Sequence, residues 1–139
     1  MTIKNGDVSL NVAVQGEGPL ILMIHGWPEL WYSWRHQISH FAGLGYKVAA
    51  MDVRGYGASS KPHELKDHRE AFIKPPAFFI GGERDTVRHF VPGMDLYDMA
   101  GAACEDFRGS VVIPGAGHWI QQEAPEATTA ALENFVKEL

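Results

Sequence analysis

Leu20-Ile21-Leu22-Met23-Ile24 runs directly into His25-Gly26-Trp27-Pro28, an unbroken apolar stretch followed by a turn. A run of that length bounded by turn residues predicts a fully buried strand of a parallel sheet, since a strand covered on both faces has no use for alternating polar positions. Upstream, residues 8–14 (VSLNVAV) alternate as a strand with one wet face, and Gly16-Glu17-Gly18-Pro19 turns the chain. Downstream, Trp34, Ile38 and Phe41 recur at helical spacing, which predicts a helix over 31–41 ended by Gly43 and Gly45. Residues 46–53 (YKVAAMDV) form a second buried-type strand.

The same alternation continues. Residues 54–62 are a Gly/Ser loop, residues 63–73 are charged and suit a short surface helix, and Pro75-Pro76 stops it. Residues 77–80 (AFFI) predict a third buried strand ending at Gly81-Gly82; residues 94–104 predict a helix, 110–113 a strand and 124–139 a terminal helix. The inner face of that last helix would be Ala127, Ala131, Leu132, Phe135, Val136 and Leu139. Strands alternating with helices make the class α/β, with a mostly parallel sheet flanked by helices. With 139 residues the chain suits a single domain, in which residues 1–62 are an N-terminal part, 63–75 a short connector and 76–139 a C-terminal part.

Composition excludes several function classes. Hydrophobic residues make up 45% and charged residues 21%, and the net charge of −5 is spread without basic blocks. Nucleic acid and anionic membrane both need clustered Lys and Arg, so neither is expected as a partner. Cys104 is the one cysteine, which precludes an intrachain disulfide. The first residues, MTIKNGD, hold no apolar leader and no stretch has the length of a membrane span, so the cytoplasm is the expected compartment. His36 and His40 are four apart but lack the Glu of an HExxH pattern, so no metal is expected.

In open α/β sheets, ligands bind beyond the carboxyl ends of the strands. Each predicted strand after the first ends in polar or glycine-rich sequence: His25-Gly26-Trp27-Pro28, Asp52-Val53-Arg54-Gly55-Tyr56-Gly57, Gly81-Gly82-Glu83-Arg84-Asp85 and Gly115-Ala116-Gly117-His118-Trp119. HGWPELWYSWRHQ (25–37) followed by MDVRGYGASSKP (51–62) resembles the N-terminal half of an epoxide hydrolase of the α/β-hydrolase superfamily, and GGERD (81–85) with GAGHWIQQEAPE (115–126) resembles its C-terminal end. The resemblance implies a reduced α/β-hydrolase fold, hydrolysis of small hydrophobic epoxides to diols, and no cofactor. His118 would be the catalytic base and Asp85 the acid that orients it. Gly26, Trp27 and Pro28 would form the oxyanion and substrate-binding turn, with the Trp27 backbone N–H as donor. His25, Asp52 and Arg54 would brace the loops.

The chain departs from that family in its middle. Family members follow the DxRGxG segment with a strand, an elbow whose Asp attacks the epoxide, and a helical cap that supplies tyrosines. Here HELKDHREAFIK (63–74) holds no Gly-x-Asp-x-Gly or Gly-x-Ser-x-Gly elbow and no tyrosine. Ser59, Ser60, Asp67 and Asp52 each lack the strand–turn–helix context a nucleophile needs. The nucleophile is therefore absent, a cap domain is not expected, and epoxide turnover by this chain should be impaired or lost. The crossover from Val53 to Ala77 is long enough to bring 77–80 beside Leu20–Ile24 in the vacant slot. Left unpaired, Leu20–Ile24 would be an exposed apolar edge through which a homodimer forms. A non-catalytic binding or assembly protein, a part of an enzyme completed by another polypeptide, and a haloalkane or fluoroacetate dehalogenase relative are the competing functions.

Overall fold

The computed structural model describes residues 1–26, 28–61 and 73–139. These fall into two compact units, Met1–Arg69 and Glu70–Leu139.

In the first unit, β1 (Thr2–Asn5) and β2 (Val8–Gln15) form an antiparallel hairpin, and β3 (Leu20–Ile24) lies parallel to β4 (Lys47–Met51). The strand order is β1-β2-β4-β3, with β2 antiparallel to β4. β4 is thus central, and Val48 and Ala50 on it are completely buried. A 3₁₀ turn (Trp31–Trp34) leads into α1 (Arg35–Gly43), so the first turn of the expected helix over 31–41 is 3₁₀; Trp34 at its end and Ile38 and Phe41 of α1 are buried as the spacing predicts.

β3 differs from its expected state. It is an edge strand, and Leu20, Leu22 and Ile24 are 64%, 53% and 47% exposed while Met23 is buried. The period of 2 in those exposures means that one face of the strand is covered and the other is not. The expected pairing of 77–80 with β3 is not made. β5 (Ala77–Gly82) instead pairs in parallel with β6 (Phe107–Ile113) as a separate two-stranded sheet. β5 finds its partner inside its own unit, from Ala77 opposite Phe107 to Gly82 opposite Ile113. β5 is half-buried rather than fully buried until it reaches Gly81 and Gly82.

In the second unit Ile113, Ala116 and Ile120 form the buried core, with Ile80 and Ala124 against it. After α2 (Ile120–Glu123), α3 (Pro125–Lys137) begins with Pro125 in its first turn, where a missing N–H costs nothing. Its Phe135 ring stacks on Phe78 of β5 at 5.1 Å. The buried anchor of α3 is Thr128, whose hydroxyl donates to Ile120 O at 3.1 Å, whereas Ala127 and Leu139 of the expected inner face are exposed.

The helix expected over 94–104 is a single 3₁₀ turn, Leu96–Met99. The Asp95 carboxylate accepts from Tyr97 N at its start. At its end Ile73 N donates to Ala103 O and Glu105 N donates to Ile73 O, so the backbone is drawn into strand-like pairing. Backbone groups committed to such pairing cannot also close helical hydrogen bonds. The surface helix expected over 63–73 lies, but for Ile73, outside the described residues, and so does Asp67.

Candidate active site

Because β3 and β4 are parallel, with Ile24 opposite Met51, the residues after each strand emerge side by side. His25 is buried there. Its Nε2 accepts from Val53 N at 3.0 Å, so Nδ1 carries the proton and donates to Gly26 O at 2.7 Å. With both ring nitrogens engaged by the backbone, His25 fixes the turn rather than moving protons. Gly26 O also accepts from Glu29 N, which closes the turn at Pro28. Trp27, whose N–H is the expected oxyanion donor, lies outside the described residues.

Asp52 ties three segments together. Its carboxylate accepts from Asn11 Nδ2 (2.8 Å), Trp31 N (2.9 Å) and Ala58 N (3.1 Å). Burial pushes its acidity down, but those hydrogen bonds outweigh burial and hold the carboxyl below its ordinary pKa. Ser59 donates its hydroxyl to Asp52 O at 2.6 Å and accepts from Asn11 N, while the Ser60 hydroxyl accepts from Ser9 N. Every one of these groups is spent on bracing the loop, which fits their failure to qualify as nucleophiles.

In the second unit β5 and β6 are also parallel, so 83–85 and 114–118 leave the sheet together. Glu83 N donates to Ile113 O and Arg84 N to Ala116 O, pinning the two exits to each other. Gly82 is needed there, because a Cβ on it would lie 1.9 Å from Gly117 O. The loop before His118 is clamped by two carboxylates: Glu83 accepts from Gly115 N, and Glu123 accepts from Gly117 N and Trp119 N.

This scaffold brings Asp85 and His118 together. Asp85 Oδ2 lies 2.8 Å from His118 Nδ1, and Asp85 is only 4% exposed. Asp85 Oδ1 accepts from Val87 N at 2.8 Å, so Asp85 also caps the 3₁₀ turn Thr86–His89. Tyr97 Oη donates to Asp85 Oδ2 at 2.6 Å. Burial raises the Asp85 carboxyl, but hydrogen bonds from Tyr97, His118 and Val87 N exceed that penalty, and the group stays below the ordinary carboxylate value. An ionised carboxylate only accepts, so His118 donates through Nδ1 and Nε2 is the basic nitrogen of the neutral ring. Arg88, three residues after Asp85, pairs with Asp95.

These parallel pairs, helices and strand-end loops are the architecture the sequence implied, and the known proteins agree. A family model described as alpha/beta hydrolase fold matches residues 19–74. The chain is 45% identical over 62 residues to epoxide hydrolase 3 of Siraitia grosvenorii, covering 45% of this chain and 20% of the relative. It is 43% identical over 112 residues to bifunctional epoxide hydrolase 2 of Mus musculus, covering 72% of this chain and 19% of the relative. A crystal structure of an epoxide hydrolase from Vigna radiata superposes with a TM-score of 0.76 at 17% identity, covering 100% of this chain and 98% of that one. The chain has the α/β-hydrolase fold, and in sequence it is similar to epoxide hydrolases. It spans about a fifth of the length of the curated relatives it matches.

Of the expected site residues, Asp85 and His118 are brought together within the second unit, while Gly26 and Pro28 belong to the first. Tyr97 was not legible as a site residue. It lies twelve positions after Asp85 in a stretch that reads as helix, and nothing local marks its hydroxyl as a partner of that carboxylate. Among the described residues no group of three or more His, Cys, Asp or Glu is arranged to hold a metal. No helix among them is long and apolar enough to cross a membrane.

Proposed function

We propose that this chain carries the acid–base part of an epoxide-hydrolysing site, with His118 as general base toward water and Asp85 as the group that orients and stabilises its imidazolium. The observation that supports this best is the 2.8 Å contact between His118 Nδ1 and the buried Asp85 carboxylate. Gly26, Trp27 and Pro28 are proposed as the oxyanion turn, and a small hydrophobic epoxide as the substrate. Acid, base and oxyanion donors are all protein groups, so the reaction as proposed calls for no cofactor.

Turnover by this chain alone is expected to be weak or nil. A covalent route of the family's kind needs a nucleophile on an elbow and tyrosines to protonate the opening oxygen, and HELKDHREAFIK (63–74) holds neither. Ser59, Ser60 and Asp52 are already committed to the loop. The test is hydrolysis of an aryl epoxide by the purified chain, alone and with an elbow-and-cap segment restored between Pro62 and Pro75. The expected result is buffer-level hydrolysis alone and activity after restoration, which His118→Ala lowers by about 10²–10⁴-fold. Restored activity indifferent to His118→Ala would remove the base assignment. Turnover by the unrestored chain, lost in His118→Ala, would keep the base and overturn the incompleteness.

A second copy of the chain is the proposed partner for β3. Support comes from its position at a sheet edge and from the exposed Leu20, Leu22 and Ile24. Light scattering should show a mass that rises toward the dimer with concentration, and Leu22→Lys should return it to monomer. A monomer at every concentration would dismiss this partner. The cytoplasm is the proposed compartment, which suits a chain whose cysteine, Cys104, is a free thiol.

A further inference from the structure

Tyr97 is held more firmly than a phenol on a short surface turn needs to be. Its ring lies edge-on to Phe79 at 4.8 Å and the Arg88 guanidinium sits over its face at 4.7 Å. Arg88 is itself fixed by Asp95, and Asp95 accepts from Tyr97 N. Gly81 leaves room for the ring, since a Cβ there would lie 2.3 Å from it. So placed, Tyr97 Oη accepts from Gly82 N at 3.1 Å and donates to Asp85 Oδ2 at 2.6 Å. That oxygen is the one that receives His118 Nδ1.

We propose that Tyr97 is a positioning residue for the Asp85–His118 pair, sharing Asp85 Oδ2 with the imidazole and thereby restraining the basicity of His118. The inference rests on the acid–base assignment made above. Two donors on one carboxylate oxygen divide its charge, so each draws less from it than it would alone. The phenol stays protonated at any working pH, because burial and the bond to Asp85 raise its pKa. Asp85 is held through its other oxygen as well, Oδ1 accepting from Val87 N at 2.8 Å, an anchor that Tyr97→Phe does not alter chemically. Among the described residues, charged groups near the pair include Arg84 beside Asp85, Arg88 and Asp95 beside the Tyr97 ring, and Glu83 and Glu123, which hold the His118 loop; Tyr97→Phe alters none of these side chains.

The test follows the ring nitrogens of His118 by nitrogen-15 NMR across pH in the unmodified chain, Tyr97→Phe and Asp85→Asn. The expected result is a midpoint that rises in Tyr97→Phe, as the whole Oδ2 charge becomes available to the imidazolium, and falls in Asp85→Asn. A fall in Asp85→Asn with no rise in Tyr97→Phe overturns the role of Tyr97 and leaves the pair standing. No movement in either variant overturns the pair and the inference together. A purely structural Tyr97 would change the melting temperature and leave the midpoint alone. Should Tyr97→Phe fail to fold, the unmodified chain still decides: a slowly exchanging Tyr97 hydroxyl proton with a cross-peak to the Gly82 amide supports the shared oxygen, and its absence overturns it.

Discussion

Gly82→Ala is expected to destabilise the second unit by about 3 kcal/mol and to break the Asp85–His118 pair. The added Cβ would lie 1.9 Å from Gly117 O and 2.5 Å from Ala116 O. Both are backbone atoms, so no flexible side chain can swing away. The obstructed turn is the one that presents His118, and it is pinned on its far side by Glu83 and Glu123. Relief must therefore come from parting the ends of β5 and β6, where Glu83 N reaches Ile113 O and Arg84 N reaches Ala116 O. Urea unfolding of the variant, with the His118 ring resonances as a second readout, measures both effects. A melting curve like that of the unmodified chain would mean that the turn over residues 115–117 can retreat as a body, contrary to the clamping described above.

Asp52→Ala should weaken the first unit by about 2–4 kcal/mol, since it strands buried donors instead of merely deleting a contact. Asp52 is 2% exposed, and its loss leaves Asn11 Nδ2, Trp31 N and Ala58 N without their acceptor. The three lie on β2, at the start of the 3₁₀ turn and in the loop after β4, so the substitution loosens the sheet, the helix entry and the loop together. The same carboxylate gives the unit an acid limb. Its folded pKa is below the unfolded value, so the unfolded chain takes up the proton first as pH falls. Its stabilisation is complete above the ordinary carboxylate value of about 4 and drains away as pH drops through the depressed folded value. Urea midpoints from about pH 6 to about pH 3 should fall less steeply in Asp52→Asn than in the unmodified chain. An identical acid limb in both would mean that other carboxylates set it.

Asp85 follows the same sign, its folded pKa also lying below the ordinary carboxylate value. Protonating Asp85 makes it a weaker acceptor for the two donors on Oδ2, Tyr97 Oη and His118 Nδ1. The Asp85–His118 contact and the stability of the loops it joins therefore weaken together as pH falls through the depressed Asp85 value.

Much of this molecule is local, and the sequence by itself settles what is local. The apolar run 20–24, the stripe Trp34–Ile38–Phe41 and the strand 46–53 became β3, α1 and β4, because periodicity and turn residues act within a few positions. The motif residues at the ends of β5 and β6 likewise singled out Asp85 and His118 before any distance was known. What only the tertiary structure decided is which strand lies beside which, and which side chains meet across long separations. β3 reads as fully buried, yet it is an edge, because burial depends on a neighbour that the run itself does not encode. Residues 94–104 read as helix, yet Ile73 captures the backbone at 103–105, a contact thirty residues away in the chain. Tyr97 joins the Asp85–His118 pair for the same reason: a hydrogen bond is fixed by where backbones place two side chains, and composition and spacing carry no record of it.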